Sequence, residues 1–214
     1  MTDNTNKPFN LNMHTARLLM REPFFAALSR RIDKTASTQV ATAGVRINPH
    51  TQQFELLYNT DFMGALSDKH KLGVLMHEFY HLVFEHVTGR LPADGLKRID
   101  NIAMDLAING LDEMRDMLPN EANPGPILEG TTEHMKGVFP DLPPNMTYEW
   151  YLEALKKMGE EEPSNESSEG GEGNDPFEGA DSFDSHEGFG EGDSTTQEIA
   201  KERLKEAVKK AAEE

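Results

Sequence analysis

Residues 77–81 read His-Glu-Phe-Tyr-His, set within the apolar stretch GVLMHEFYHLVFEH of residues 73–86. Residues four apart lie on one face of an α-helix, so His77 and His81 can direct their imidazoles at one metal ion. Zinc suits nitrogen ligands, and Glu78 is then placed to act as general base towards a water molecule at the metal. The pattern predicts metal-assisted hydrolysis. The alternative is a pair of core or surface histidines beside a solvated glutamate.

A catalytic zinc needs a third protein ligand, and His86 does not suit that position on a regular helix. It follows His77 by nine residues, which at about 100° per residue turns it to the far side of the helix. Ser67 is a good N-cap and Gly89 a good residue to end the helix, so the helix is expected to run past His86. His86 is therefore not expected to bind the metal. It is predicted either to be a buried or partly exposed residue that supports the site or to lie on the surface.

Three polar residues recur at every fourth position of the next helical stretch: Asn101, Asp105 and Asn109. Their neighbours are mostly apolar, which predicts a buried helix, and buried polar groups need partners. We expect Asp105 to be the third ligand, with the two amides bracing the histidines or the backbone. A loop cap or a pairing with an arginine is the alternative for Asp105. His134, in the loop-like TTEHMKG, is a second candidate for the ligand.

Hydrolysis of an amide also requires a hydrogen-bond donor for the negative charge that develops on the substrate oxygen. The candidates are Tyr58, Tyr80, His86 and His134, among which the sequence does not choose. A strand edge of the hairpin predicted within residues 39–58 could bind an extended peptide by adding it to the sheet.

The composition restricts the chemistry and the partners. The chain contains no cysteine, so any metal must be held by His, Asp or Glu. Residues 158–214 hold 18 acidic and five basic residues, which gives −13 of the total formal charge of −17. Nucleic-acid binding needs a basic footprint, and we expect none here. No apolar run could span a membrane and the N-terminus lacks a secretory signal, so a cytoplasmic protein is expected.

Hydrophobic periodicity predicts a mostly helical α+β domain over residues 1–158, with a β-hairpin or small sheet. Residues 14–33 read as a helix with a bend at Pro23. Residues 159–193 are rich in Gly, Glu, Asp and Ser and contain no Lys or Arg, which predicts a disordered acidic linker. Residues 194–214 predict an amphipathic helix with no evident packing partner in the chain, so it could recruit a protein partner.

Three segments, taken in order, resemble a known family. They are ARLLMREPFFAAL, LLYNTDFMGALSDKHKLGVLMHEFYHLVFEH and NIAMDLAINGL. The family consists of HExxH metallopeptidase domains that are paired with a C-terminal VWA-like domain. The acidic DSHEGFGE is similar to the short segment that leads into the VWA-like domain in such proteins. The resemblance covers residues 14–110 and, as a short echo, residues 181–192.

The resemblance implies a zincin-like fold, with the site between two helices and a β-sheet. It also implies that His77, Glu78 and His81 are the metal and catalytic residues and that Asp105 is the acidic residue of the second motif helix. The DxSxS metal-site signature of a VWA-like domain is missing from the sequence. We therefore expect the chain to be a natural short form or a fragment.

Three functions are consistent with these features. The first is a zinc-dependent peptidase that acts on a peptide or protein substrate with Glu78 as general base. The second is a catalytically inactive, metallopeptidase-like scaffold that works through protein partners, recruited by the acidic linker and the terminal helix. A third is metal-assisted hydrolysis of a non-peptide amide or ester.

Overall fold

The structure is a computed structural model and describes residues 9–93, 95–114, 116–119, 139, 142–161, 189 and 194–213. The described chain falls into two compact units. The first takes its residues from Met1–Leu96, Met117–Pro119 and Asp184–Glu214, and the second from Lys97–Asp116 and Asn120–Phe183. Within the described ranges, no helix is both long and apolar enough to cross a membrane.

Two consecutive helices lie at the start of the first unit, α1 (Leu11–Arg21) and α2 (Pro23–Ser29). Glu22 separates them in a non-helical conformation, with φ −134° and ψ 75°. The ring of a proline disfavours helical geometry in the preceding residue, and Pro23 itself can begin a helix because no N–H is needed there. The bend predicted at Pro23 is confirmed as a break between two helices.

Three short strands form the sheet of the first unit: β1 (Asp33–Ala36), β2 (Ala43–Ile47) and β3 (Phe54–Tyr58). Strand β3 is central, antiparallel to β2 and parallel to β1. Val45 of β2 lies opposite Leu56 of β3, and both are fully buried, as expected for the predicted hairpin. Strand β1 is an addition to that prediction, because its sequence DKTA is polar and largely exposed and shows no apolar alternation.

A buried carboxylate ties the three strands together. Glu55 of β3 accepts a hydrogen bond from the Thr35 hydroxyl of β1 at 2.6 Å. It also accepts two from the Arg46 guanidinium of β2, at 3.2 Å each, and one from the Asn48 amide at 3.1 Å. Burial alone would raise the pKa of Glu55, but these hydrogen bonds and the arginine charge lower it below its ordinary value. The carboxylate is therefore held in its charged form by its neighbours.

Two helices follow the sheet, α3 (Thr60–Ala65) and α4 (Asp68–Val83). Ser67 caps α4 as predicted, with its hydroxyl oxygen accepting a backbone N–H three residues further on. A Cβ at Gly73 of α4 would overlap the backbone carbonyl of Met117. The backbone of the Met117 segment thus approaches α4 closely, and this approach requires the absence of a side chain at residue 73.

The C-terminal helix α7 (Ser194–Glu213) packs in the first unit against α2 and α4. Its residues Ala200, Leu204 and Ala211 are buried. The expectation that this helix has no packing partner in the chain is therefore wrong, because an amphipathic stripe shows only that a helix packs and not on what. Recruitment of another protein by α7 remains a prediction.

The second unit contains α5 (Arg98–Asn109), a 3₁₀ turn (Asp112–Met114) and α6 (Tyr148–Glu161). Helices α5 and α6 pack on each other, and the Tyr148 hydroxyl donates a hydrogen bond to Asp100 at 3.0 Å. The fully buried apolar residues of this pair include Ile102, Leu106, Tyr151 and Leu155. Helix α5, predicted as the buried helix that carries the polar stripe, is confirmed.

The protein is α+β and mostly helical with a small three-stranded sheet, as the sequence predicts. The domain boundaries at residues 158 and 193 and the zincin-like character of the fold remain predictions. The acidic linker predicted for residues 159–193 lies almost entirely outside the described residues.

Candidate metal centre

Helix α4 brings the two predicted histidine ligands together. The Nε2 atoms of His77 and His81 lie 3.1 Å apart, and the ring centroids lie 4.8 Å apart. Both side chains are fully buried. The spacing of four residues therefore has the effect expected of it, since one helical turn superposes the two rings on the same face.

The separation of the two nitrogens fits a shared metal ion. Two imidazole nitrogens that each lie 2.0–2.1 Å from a tetrahedral zinc are about 3.3–3.4 Å apart. The observed 3.1 Å is within a few tenths of an ångström of that value. The same distance also suits a hydrogen bond between the rings, in which one Nε2 carries a proton. A metal would replace that proton.

A carboxylate completes the group. Among the residues that the structure describes, the ligand atoms of His77, His81 and Asp105 all lie within 4.8 Å of one another, and all three side chains are buried. Two nitrogens and one carboxylate oxygen are a donor set that zinc accepts in catalytic sites, where the fourth position is left to water or substrate. The three residues could therefore hold a metal ion.

Glu78 follows His77 directly on α4, and its carboxylate is fully buried. Burying an ionised carboxylate is costly unless it lies near a cation or accepts hydrogen bonds. A bound cation beside Glu78 would lower this cost. Its predicted role as general base remains a prediction.

Helix α4 ends earlier than the sequence suggests, and this changes the position of His86. The helix ends at Val83, and Glu85 takes a left-handed conformation with φ 58°. The N–H of Glu85 donates to the Leu82 carbonyl and the N–H of His86 to the His81 carbonyl, both at 2.9 Å. These two bonds form a Schellman motif. The expected continuation to Gly89 is wrong because a glutamate, not a glycine, adopts the left-handed conformation.

The turn after α4 returns His86 to the histidine pair. Its Nδ1 lies 3.1 Å from the Nδ1 of His81, and its side chain is fully buried. His86 thus contacts His81 at Nδ1, whereas His77 contacts it at the other ring nitrogen, Nε2. The geometric reason given for excluding His86 as a ligand, a regular helix, does not hold, and support of the site by His86 stays a prediction.

Phe189 also contacts His81, and sequence reasoning did not single it out. The two ring centroids lie 5.4 Å apart with the planes 69° from parallel, and Phe189 is buried. The residue lies within DSHEGFGE, the segment similar to one in the resembled family. That similarity was the only signal of a role, since an isolated phenylalanine between glycines has no periodicity.

The remaining candidates occupy varied surroundings. Asn109 of α5 is fully buried and Asn101 is half-buried, as the polar stripe predicts. Tyr80 packs edge-on against Phe25 of α2 at a centroid distance of 4.8 Å. Tyr58, at the end of β3, makes an edge contact with a phenylalanine ring of the N-terminal segment. Their roles as donors or braces remain predictions, and His134 lies outside the described residues.

The fold and this group of ligands define an α+β protein with a candidate His-His-Asp metal centre. A family described as a putative metallopeptidase domain matches residues 6–214, nearly the whole chain. The chain belongs to this family, which confirms the resemblance at the level of a metallopeptidase-like protein. Pairing with a VWA-like domain remains a prediction. No curated protein and no solved structure matches the chain significantly.

Proposed function

We propose that this protein is a zinc-dependent peptidase in which His77, His81 and Asp105 hold the metal and Glu78 is the general base. The observation that carries the proposal is the approach of the three buried ligand atoms to within 4.8 Å of one another. Membership of a metallopeptidase-like family supports the same reading. The substrate would be a peptide or protein.

Zinc is proposed because of the donor set. Calcium and magnesium prefer shells made entirely of oxygen, whereas two imidazoles and one carboxylate suit zinc. The chain has no cysteine, so no thiolate competes for the metal. Three protein ligands leave one position for the reacting water or the substrate carbonyl.

A bound zinc ion would act as a Lewis acid towards the substrate carbonyl and lower the pKa of a water molecule. Glu78 would take a proton from that water as its oxygen forms a bond to the carbonyl carbon. It would then deliver the proton to the amide nitrogen as the carbon–nitrogen bond breaks. Tyr58 or Tyr80 would donate a hydrogen bond to the developing oxyanion, and Asn101 and Asn109 would brace the ligands.

The sheet offers a place for an extended substrate. Strand β2 pairs with β3 on one side and has no strand on its other side among the described residues. A peptide could add to that edge through main-chain hydrogen bonds. Because β2 also packs against α4, the added strand would run near the helix that carries the two histidines.

The experiment that tests the proposal compares Glu78→Gln with the wild-type chain, both loaded with zinc. Glutamine has nearly the same shape as glutamate and residue 78 is not a proposed ligand, so zinc content should be unchanged. Glutamine cannot act as the general base. Hydrolysis of a fluorogenic peptide library should fall by about 100- to 10,000-fold, the usual contribution of a general base. Full activity of Glu78→Gln would show that the mechanism is wrong.

A matched control is Glu113→Gln, which changes an exposed glutamate in the second unit and should alter neither zinc content nor activity. If the wild-type chain binds zinc stoichiometrically but cleaves no peptide in the library, the result favours a catalytically inactive, metallopeptidase-like scaffold over a peptidase. Cleavage of small amide or ester substrates alone would favour a non-peptide hydrolase.

A further inference from the structure

His86 is bound to His81 twice, once through the backbone and once through the side chain. The Schellman turn places the His86 N–H on the His81 carbonyl at 2.9 Å. The same turn places His86 Nδ1 at 3.1 Å from His81 Nδ1. Both imidazoles are fully buried, so solvent does not readily replace this contact. The two rings are thus held together by the local fold.

The chemistry of a metal ligand determines which nitrogen of His81 must carry a proton. A neutral imidazole has one protonated and one unprotonated nitrogen, and only the unprotonated nitrogen can bind a metal. The Nε2 of His81 faces His77 at 3.1 Å and is the ligand atom, so Nδ1 of His81 must carry the proton. A protonated Nδ1 in a buried place needs an acceptor.

We propose that His86 is a positioning residue whose Nδ1 accepts the His81 Nδ1–H and thereby keeps His81 Nε2 free for the metal. In most histidine metal sites this acceptor is a carboxylate or a backbone carbonyl. Here it is a second imidazole, with its own proton on Nε2. The inference rests on the proposed metal centre and names a residue that sets the tautomer and the rotation of one ligand.

The conformation of Glu85 makes this contact possible. Its left-handed φ of 58° reverses the chain directly after α4, so that His86 returns towards the helix instead of continuing away from it. Non-glycine residues adopt this conformation at a cost, which the surrounding structure must offset. The Glu85 carboxylate also forms a salt bridge with Lys201 of α7, at 3.4 Å.

Phe189 supplies a matched control, because it touches the same ring without offering a nitrogen or an oxygen. If His86 acted on His81 by packing alone, Phe189→Leu and His86→Leu should have similar effects on the metal. If His86 acts through its hydrogen bond, only His86→Leu should weaken metal binding strongly.

The test measures zinc affinity on the full chain by competition with a chelator at pH 7, for the wild type, His86→Leu, His86→Asn, His86→Gln and Phe189→Leu. His86→Leu should bind zinc about 10- to 100-fold more weakly. His86→Asn should recover most of the affinity, because its side-chain oxygen takes the place of Nδ1. His86→Gln, whose oxygen lies one bond further out, should not recover it. Wild-type affinity in His86→Leu, or equal losses in His86→Leu and His86→Asn, would overturn the proposal.

A second measurement separates this inference from the peptidase. Nitrogen-15 NMR of histidine-labelled, metal-free protein reports which ring nitrogen carries each proton. We expect His81 protonated on Nδ1 and His86 protonated on Nε2. If these tautomers are found but zinc does not bind, the metal centre fails and the positioning contact stands. A proton on His81 Nε2 in the metal-free protein contradicts the positioning role directly.

Discussion

Glu55 on the sheet and the His77–His81 pair on α4 are both buried ionisable groups of the first unit, but their partners differ in kind. The Glu55 carboxylate accepts hydrogen bonds from a hydroxyl, a guanidinium and an amide on neighbouring strands. The two histidines approach each other with equivalent nitrogens, 3.1 Å apart. A carboxylate surrounded by donors needs nothing further, which indicates a structural role. The His77–His81 pair indicates a binding role because the Asp105 carboxylate also lies within 4.8 Å of both ligand nitrogens.

The largest expected effect is on the histidine side of this comparison. His77→Ala removes one of three ligands, so zinc affinity should fall by more than about 100-fold, since even residues that only contact a ligand typically account for 10–100-fold. Zinc should raise the melting temperature of the wild type and leave that of His77→Ala unchanged. His50→Ala, which removes an exposed histidine from the turn before β3, is the control. A zinc-dependent melting temperature in His77→Ala would contradict the assignment.

Glu55→Ala should have the opposite profile. Loss of the carboxylate leaves donors of three side chains without their acceptor, so the free energy of unfolding should fall by about 1.5–3 kcal/mol, the range for hydrogen bonds to charged groups. Zinc affinity should stay within about twofold of the wild type, because Glu55 serves the sheet. Denaturant unfolding and chelator competition measure the two quantities. A tenfold loss of zinc affinity would show that the two regions are not independent.

The pKa of Glu55 predicts a smaller, pH-dependent effect. Since the folded-state pKa is lowered below the unfolded value of about 4.3, the folded protein binds fewer protons than the unfolded chain between the two values. The stabilisation that Glu55 contributes is therefore complete above the unfolded-state pKa, and it is lost as the pH falls through the folded-state pKa. In Glu55→Gln this contribution should be missing. Unfolding midpoints at pH 7 and pH 3.5 test it, and an equal acid sensitivity of both proteins would argue against it.

The smallest effect is expected at the turn that places His86. Glu85→Gly removes the salt bridge to Lys201 but places at residue 85 the amino acid that best tolerates a φ of 58°. The two changes oppose each other, so stability should change by less than about 1 kcal/mol. Zinc affinity should be preserved, because the turn is kept. Glu85→Val, whose branched side chain resists this conformation, should weaken zinc binding if the turn positions His86.

Periodicity predicted the part of the site that lies within regular helices. His77 and His81 share a face because they are four residues apart, and Asp105 was chosen because a carboxylate in an apolar helix needs a partner. Both arguments use only helix geometry and burial, and the structure groups the three ligand atoms. The catalytic part of the prediction is that Glu78 takes a proton from a water molecule. The positions of the side chains alone do not show this proton transfer.

The parts that the sequence did not predict depend on local exceptions or on tertiary packing. The end of α4 was placed at Gly89 because glycine is the usual left-handed residue, and the structure uses Glu85 instead. Strand β1 is recruited to the sheet by β3, because its own polar sequence predicts no strand. The surface on which α7 packs and the contact of Phe189 with His81 join residues far apart in the chain, which no short pattern encodes.

The most direct test of the central claim is the zinc content of Asp105→Asn compared with the wild type, after purification and dialysis against trace zinc. The wild type should retain about one zinc ion per chain. The variant, which keeps the shape of the side chain but loses its charge, should retain little, and the exposed Asp112→Asn should behave as the wild type. Wild-type zinc content and affinity in Asp105→Asn would contradict the proposed His77, His81 and Asp105 centre.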